Sequence, residues 1–182
     1  MPLEDGKGRR VLELRSARAV SERVDALADE LARALAGSNP LLVVIAEGAR
    51  RFASELARRL EARGLAPQQL EVRARRSQGT ELREVVLEGC DPSAFRARDV
   101  VITDDIADEG RTLEAVGALV RSGAPRSVRI AVLVSKPARR RSPVALDHVG
   151  FEVGLGWVVG YGMDLDGAFR DLDWLGVIEG TE

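Results

Sequence analysis

The sequence Val-Val-Ile-Thr-Asp-Asp-Ile-Ala-Asp-Glu-Gly-Arg-Thr-Leu spans Val100–Leu113 and carries the strongest structural signal in the chain. Its apolar beginning is typical of a strand buried on both faces. The run continues into an acidic, glycine-containing turn, Asp104–Arg111, and a helix is predicted over Thr112–Arg121. A buried strand that leads directly into a helix indicates one unit of an open α/β sheet.

The same alternation of strand and helix extends along the rest of the chain. Apolar residues at helical spacing predict one helix that begins after Ser16 or Ser21 and a second that contains Phe52, Leu56 and Leu60. Strands are predicted at four further places: Leu41–Ala46, Leu70–Arg75, Glu84–Leu87 and Val128–Val134. Together these elements predict an α/β fold in which a parallel sheet is flanked by helices.

The domain organisation follows from the same pattern. No repeat, low-complexity segment or long linker interrupts the 182 residues, so a single domain is expected. The core should cover about residues 16–145. The chain ends, about residues 1–15 and 146–182, carry only short strand-like pieces such as Trp157–Val159 and Gly176–Ile178. We expect these ends to form a small hood lobe.

Composition excludes several classes of function. Lys and Arg number 27 against 29 Asp and Glu, so the net charge of -2 argues against a nucleic-acid partner or a membrane partner. A single cysteine, Cys90, excludes an intramolecular disulfide framework, and a single histidine, His148, excludes a multi-histidine metal centre. No apolar run is long enough to span a membrane, and the N-terminus does not resemble a signal peptide, so a cytoplasmic location is expected.

The acidic turn after Thr103 is the best candidate for a ligand site, because ligands of open α/β sheets bind beyond the carboxyl ends of strands. Gly110 allows the backbone to approach an anion, and the free N–H groups at a helix start can hold a phosphate. Asp104 and Asp105 would repel a bare phosphate, so they fit a sugar's hydroxyl groups or a magnesium ion better. The alternative is an ordinary acidic connection whose carboxylates favour the helix N-terminus.

Val100–Leu113 resembles the phosphoribosyl-pyrophosphate signature of the type I phosphoribosyltransferases. The tail is similar to the C-terminal segment of hypoxanthine-guanine phosphoribosyltransferases, through Asp147–Val153, Val158–Asp164 and Phe169–Leu172. The resemblance covers nearly the whole chain and is weakest over Gln69–Asp91. It implies a type I phosphoribosyltransferase fold and a purine salvage enzyme. Such an enzyme transfers 5-phosphoribosyl from phosphoribosyl pyrophosphate to hypoxanthine or guanine, uses magnesium, and assembles as a homo-oligomer, a dimer or a tetramer.

The resemblance also implies a role for each matching residue. On the sugar side, Asp104 and Asp105 would hold the ribose hydroxyls, directly or through magnesium, and Asp108 would be the general base that takes the purine proton. The remaining assignments are the 5′-phosphate loop of Asp108, Glu109, Gly110, Arg111 and Thr112, the pyrophosphate-binding residues Glu47, Gly48 and Arg170, and the base-binding residues Lys136, His148 and Val149.

Several residues depart from the family pattern. Glu47 is acidic beside the pyrophosphate, Glu109 replaces a threonine, His148 replaces an aromatic residue, and Leu155 stands where an aspartate is expected. The segment 75–80 has the serine of the mobile catalytic loop, Ser77, without its tyrosine. These departures leave two alternatives open. One is a catalytically weakened homologue that binds a purine nucleotide in a regulatory role, and the other is transfer to a different base.

Overall fold

The computed structural model describes residues 3–76, 85–88 and 91–181. Its main feature is a six-stranded sheet with the strand order β5-β4-β3-β6-β7-β8, in which β5 is antiparallel to β4 and the other five strands are parallel. The strands are β3 (Leu41–Ala46), β4 (Gln68–Arg76), β5 (Val85–Glu88), β6 (Asp99–Ala107), β7 (Ser127–Ser135) and β8 (His148–Glu152). The predicted parallel sheet is therefore confirmed.

Helices cover both faces of this sheet, as predicted. Helix α1 (Ala17–Ala34) begins at Ser16, whose Oγ accepts a hydrogen bond from the Ala19 N–H, and it packs against α2 (Ala49–Glu61) over one face. Helix α3 (Arg111–Ser122) covers the other face. Each helix turns a stripe of aliphatic residues toward the strands, which is why the strands read as continuous apolar runs.

A second, smaller sheet is built from the two ends of the chain. It is antiparallel, with the order β1-β2-β10-β9, and consists of β1 (Leu3–Glu4), β2 (Arg10–Arg15), β9 (Val158–Val159) and β10 (Leu175–Ile178). This sheet is the expected hood. Short 3-10 helices, Pro92–Phe95 and Pro137–Arg139, occur in the connections of the main sheet.

Two boundaries differ from the sequence prediction. Strand β8 lies within the segment predicted to form the hood, but it pairs with β7 as the edge of the main sheet. It was missed because an extended connection with one short 3-10 turn, rather than a helix, joins these two parallel strands. Strand β6 continues through the acidic residues to Ala107, because β7 offers it a pairing partner as far as Ser135.

Some predictions concern residues that the structure does not describe. Ser77 and the rest of segment 77–80, Glu84 and Cys90 all lie outside the described residues. Within residues 3–76, 85–88 and 91–181, no helix combines the length and the apolar character that crossing a bilayer requires.

Candidate active site

A cavity of about 460 Å³ opens at the carboxyl ends of β3, β6 and β7, beneath the hood. This is the edge where open α/β sheets bind their ligands. Most of the predicted site residues line it: Glu47, Gly48, Asp104, Asp105, Asp108, Glu109, Gly110, Arg111, Thr112, Lys136 and Arg170. Sequence positions that lie up to 123 residues apart, such as Glu47 and Arg170, therefore meet in one place.

Asp104 and Asp105 form the acidic floor of the cavity. The Asp105 N–H donates to Asp104 Oδ1 at 3.1 Å, and the Ile106 N–H donates to Asp105 Oδ1 at 2.9 Å. Burial, and then the neighbouring charge of Asp105, raises the pKa of Asp104 well above its usual value; burial also raises the pKa of Asp105. Among the described residues neither carboxylate has a cationic partner within salt-bridge distance, so the floor can accept hydroxyl donors or a cation.

The loop after β3 approaches this floor closely enough to require glycine. A Cβ on Gly48 would overlap the carboxylate of Asp105, and a Cβ on Gly162 would lie 2.5 Å from the Gly48 carbonyl oxygen. The loop Glu47-Gly48 is thus held between the acidic floor and the tail. Any side chain at Gly48 would displace Asp105.

An anion-binding cradle lies between β6 and α3. Gly110 has φ 87°, a left-handed conformation that glycine adopts without strain, and α3 begins at the next residue. Within the described part of the chain, no protein group accepts a hydrogen bond from the backbone N–H of Glu109, Gly110, Arg111 or Thr112. Open amides at a helix N-terminus, where the helix dipole is positive, favour a phosphate group.

The three arginines Arg139–Arg141, which we predicted only as part of a loop, hold this cradle in place. Arg139 Nε donates to Asp108 Oδ1 at 2.6 Å, and Arg140 donates to the carbonyl oxygens of Ala107 and Asp108 at 3.3 and 3.2 Å. The Arg141 N–H donates to the Glu109 carbonyl oxygen at 3.0 Å. A cluster of arginines directly after a buried strand end was the signal that could have revealed this contact.

Lys136 lies at the end of β7 and is only 5% exposed. Its Nζ donates to the Gly156 carbonyl oxygen at 2.5 Å, which directs the ammonium group toward the tail. Burial lowers the pKa of Lys136. A buried ammonium group that has one acceptor among the described residues keeps donors for a ligand oxygen.

His148 and Val149 do not line the cavity, which corrects their assignment to the base site. Both lie in β8 opposite the middle of β7, and helix α1 occupies their polar groups. His148 Nδ1 lies 3.0 Å from Glu30 Oε2, and Arg23 Nη2 donates to the Val149 carbonyl oxygen at 2.7 Å. Their contacts therefore join strand to helix instead of facing a ligand.

Four tail residues that sequence reasoning did not select line the cavity instead: Trp157, Val158, Met163 and Asp164. Trp157 Nε1 donates to the Asp164 carbonyl oxygen at 3.0 Å, which fixes the indole ring at the cavity wall. The signal was present in the sequence, because a residue with an aromatic ring is followed by valine twice, at His148 and at Trp157. Leu155, the position where the family pattern predicts an aspartate, is 58% exposed and lies outside the cavity.

Arg170 joins the loop after β3 to the tail. Its Nη2 lies 2.6 Å from Asp164 Oδ1 and its Nη1 lies 3.3 Å from Glu47 Oε2. Glu47 is therefore balanced by a cation in this structure. The cavity thus has an acidic floor, a cradle of open amides, a wall with Lys136 and Trp157, and an arginine between two carboxylates.

Comparisons with known proteins agree with this geometry. A family model described as a phosphoribosyl transferase domain matches residues 10–166. The hypoxanthine-guanine phosphoribosyltransferase of Bacillus subtilis is 30% identical over 161 residues, which cover 88% of each chain. A solved structure of a hypoxanthine phosphoribosyltransferase from Staphylococcus aureus superposes with a TM-score of 0.85 at 25% identity, covering 92% of this chain and 91% of that one.

A third relative is a longer protein. The bifunctional protein TilS/HprT of Listeria innocua is 32% identical over 160 residues, or 88% of this chain. The chain spans about a quarter of the length of that relative, 24%.

Proposed function

Since the chain belongs to the phosphoribosyltransferase family, we propose that it transfers the 5-phosphoribosyl group from phosphoribosyl pyrophosphate to a 6-oxopurine, hypoxanthine or guanine, in purine salvage. The relatives support the predicted class of enzyme, a pentosyl transferase. One observation carries the proposal: a cavity of about 460 Å³ combines open amides around Gly110 with two buried carboxylates that lack a cationic partner among the described residues.

The sugar phosphate is proposed to bind along the loop between β6 and α3. The backbone of Asp108–Thr112 would hold the 5′-phosphate through the amides that no described protein group occupies. Asp104 and Asp105 would accept hydrogen bonds from the ribose hydroxyls. The left-handed Gly110 keeps this loop close enough to the ligand for several N–H groups to converge.

Magnesium fits this donor set. No group of three or more metal-ligating side chains comes together in the described ranges, but Mg²⁺ typically uses one or two carboxylates and completes its shell with water and substrate phosphates. Asp104 and Asp105, whose pKa values burial raises, are the carboxylates that would hold it. When bound, the ion supplies charge neutralisation for the pyrophosphate that leaves.

The base is proposed to bind between β6, the end of β7 and the tail. Lys136 would donate to the 6-oxo group, and Asp108 would take the proton from the attacking purine nitrogen. Trp157 provides a flat aromatic surface in the same cavity, so it replaces His148 as the proposed stacking partner. Val158, which follows it in the lining, replaces Val149 as the neighbour of the base edge.

The pyrophosphate is proposed to lie between the loop Glu47-Gly48 and the tail. Arg170 offers a planar fork of N–H donors to its oxygens. Asp164, which lines the cavity, is proposed as the carboxylate at this end, in place of the aspartate expected at Leu155. The chain thus stabilises a transition state of separated charge by fixed donors and acceptors, without a covalent nucleophile.

A turnover assay tests the proposal. The purified protein, with magnesium and phosphoribosyl pyrophosphate, should convert hypoxanthine or guanine to the nucleoside monophosphate, as measured by chromatography, and should convert adenine far less. Asp104→Asn combined with Asp105→Asn is the negative control for a contaminating activity. No nucleotide from any purine base would reject the proposal.

A second candidate function is a nucleotide-binding protein that does not turn over. The observation that favours it is the carboxylate of Glu47, which lies at the pyrophosphate end and occupies Arg170. The leucine at position 155 supports it less, because Asp164 lines the cavity. Calorimetric binding of guanosine monophosphate without measurable turnover would favour this candidate.

We also propose that the protein works in the cytoplasm as a homo-oligomer, a dimer or a tetramer, as the family resemblance implies. Sedimentation velocity at micromolar concentration tests the assembly. A single species of about 20 kDa, close to the 19.7 kDa chain mass, would contradict it.

A further inference from the structure

Glu47 is an acid at the end of the cavity where a polyanion is expected, and this inference about its role rests on the proposed function. Its side chain is 56% exposed and lines the cavity. A carboxylate in such a place raises the free energy of a bound anion by direct repulsion. The structure shows a second effect, because Glu47 also holds the arginine that would bind the anion.

Both terminal nitrogens of Arg170 are already engaged by carboxylates in this arrangement. One terminal nitrogen, Nη2, is bound to Asp164, and the other, Nη1, is bound to Glu47. The remaining nitrogen, Nε, is buried and has no hydrogen-bond partner among the described residues. A guanidinium group grips an oxyanion best with two parallel N–H donors. Each terminal nitrogen keeps one N–H beside its carboxylate, so pyrophosphate gains both N–H groups of a nitrogen only by displacing one of the two carboxylates.

The contact between Arg170 and Glu47 is the weaker of the two and is the one that pyrophosphate would break. It is longer than the contact with Asp164, 3.3 Å against 2.6 Å, and Glu47 is more exposed than Asp164, whose side chain is 23% exposed. A released Glu47 also has another partner, because Arg50 Nη1 lies 3.9 Å from Glu47 Oε1. Exposed ion pairs of this kind contribute little free energy, so an incoming polyanion can break one.

We infer that Glu47 is a positioning residue that sets the pyrophosphate affinity of the cavity by competing with the anion for Arg170. In the ligand-free chain Glu47 holds Nη1 of Arg170, and bound pyrophosphate releases it. The consequence is weak product binding and easy product release. The carboxylate of Glu47 then lowers inhibition by the product pyrophosphate. Its presence is consistent with a working pyrophosphate site.

The test is the affinity of the purified chain for magnesium pyrophosphate, measured by calorimetry. Glu47→Gln keeps the size of the side chain and removes its charge, and it should tighten binding about threefold to tenfold. Glu22→Gln is the matched control, since Glu22 is a similarly exposed carboxylate that lies 2.7 Å from Arg18. The control variant should leave the affinity unchanged.

A double-mutant cycle shows whether Glu47 acts through Arg170. Arg170→Gln should weaken pyrophosphate binding, and Glu47→Gln should then bring much less improvement than it brings in the native chain. If the improvement is equally large in both backgrounds, Glu47 acts by charge alone and the inference is overturned.

Steady-state kinetics separate this role from a merely structural one. In Glu47→Gln the KM for phosphoribosyl pyrophosphate and the inhibition constant of pyrophosphate should fall together, while the affinity for guanosine monophosphate should stay within twofold. A lower kcat with both constants unchanged contradicts the inference. A native chain that binds neither guanosine monophosphate nor pyrophosphate contradicts the proposed function itself, and the two failures are thereby distinguished.

Discussion

Arg139 Nε lies 2.6 Å from Asp108 Oδ1, so the proposed general base is held by an arginine from the connection after β7. Arg139 belongs to the 3-10 helix Pro137–Arg139, which directly follows Lys136. The residue proposed to bind the 6-oxo group and the residue that orients the base catalyst are therefore carried on one short segment. Movement of this segment would change both ends of the purine site together.

Asp108→Asn should lower kcat by about 10²–10⁴-fold, the usual contribution of a positioned general base. Asparagine has nearly the same shape but cannot accept the purine proton. The Kd for guanosine monophosphate, measured by calorimetry, should change far less. Asp166→Asn, at an exposed aspartate paired with Lys7 and Arg9, serves as the control and should leave kcat unchanged. Equal losses of turnover and of binding in Asp108→Asn would contradict the role of a base.

Arg139→Gln should lower kcat by about threefold to thirtyfold, because Asp108 loses the charge-assisted hydrogen bond that orients it. The loss should be smaller than in Asp108→Asn, since the carboxylate itself remains. In the Asp108→Asn background the same change should have little further effect, because the two residues act as one unit. If the losses in kcat from the two substitutions add independently, Arg139 does not act through Asp108.

Trp157→Ala should raise the KM for the purine base by about tenfold or more, since stacking on an aromatic side chain contributes about 1–3 kcal/mol per base. His148→Ala should raise it much less. The chain has only two tryptophans, so binding can also be followed directly. In Trp174→Phe the fluorescence comes from Trp157 and should change when guanosine monophosphate binds. In Trp157→Phe the fluorescence comes from Trp174 and should not change. A larger increase in KM in His148→Ala than in Trp157→Ala would show that His148, and not Trp157, contacts the base.

Asp104→Asn should stabilise the ligand-free protein at neutral pH while abolishing its function. Burial and the charge of Asp105 raise the pKa of Asp104, so the native state binds more protons than the unfolded state above the usual aspartate pKa. Stability must then fall as pH rises through that interval. The variant should melt a few degrees higher at pH 7, because about 1 kcal/mol moves Tm by about 2–4 °C in a chain of this size.

The pH dependence provides the check on this explanation. The difference in Tm between Asp104→Asn and the native chain, measured by calorimetry, should shrink as pH falls toward about 4, where an unperturbed aspartate is also protonated. Added magnesium should raise the Tm of the native chain more than that of the variant. A Tm difference that stays constant with pH would mean that packing, and not the charge of Asp104, causes the difference in stability.

Much of the sheet could be predicted because buried parallel strands have a distinctive pattern. The run Leu41–Ala46 has the predicted bounds, and Val128–Val134 lies within β7 with one further residue at each end. Both strands are covered on two faces, which forces an uninterrupted apolar sequence. The limit of this signal is visible at β6, which continues through Asp104 and Asp105 because hydrogen bonds to β7 do not depend on the polarity of side chains.

The tail of the site could not be placed by pattern alone. His148-Val149 and Trp157-Val158 both pair a ring with a valine, and only their positions in space distinguish them. His148 pairs with Ala131, midway along β7, while Trp157 lies past the strand ends, at the cavity. The contacts of Arg170 with Glu47 and Asp164 could not be predicted either, because a long side chain reaches partners that sequence spacing does not specify.

A crystal structure with guanosine monophosphate and magnesium tests the central claim most directly. The 5′-phosphate should accept hydrogen bonds from the amides around Gly110, the ribose should face Asp104 and Asp105, and the purine should lie against Trp157 with its 6-oxo group at Lys136. A nucleotide bound elsewhere, or bound here with its phosphate away from those amides, would contradict the account.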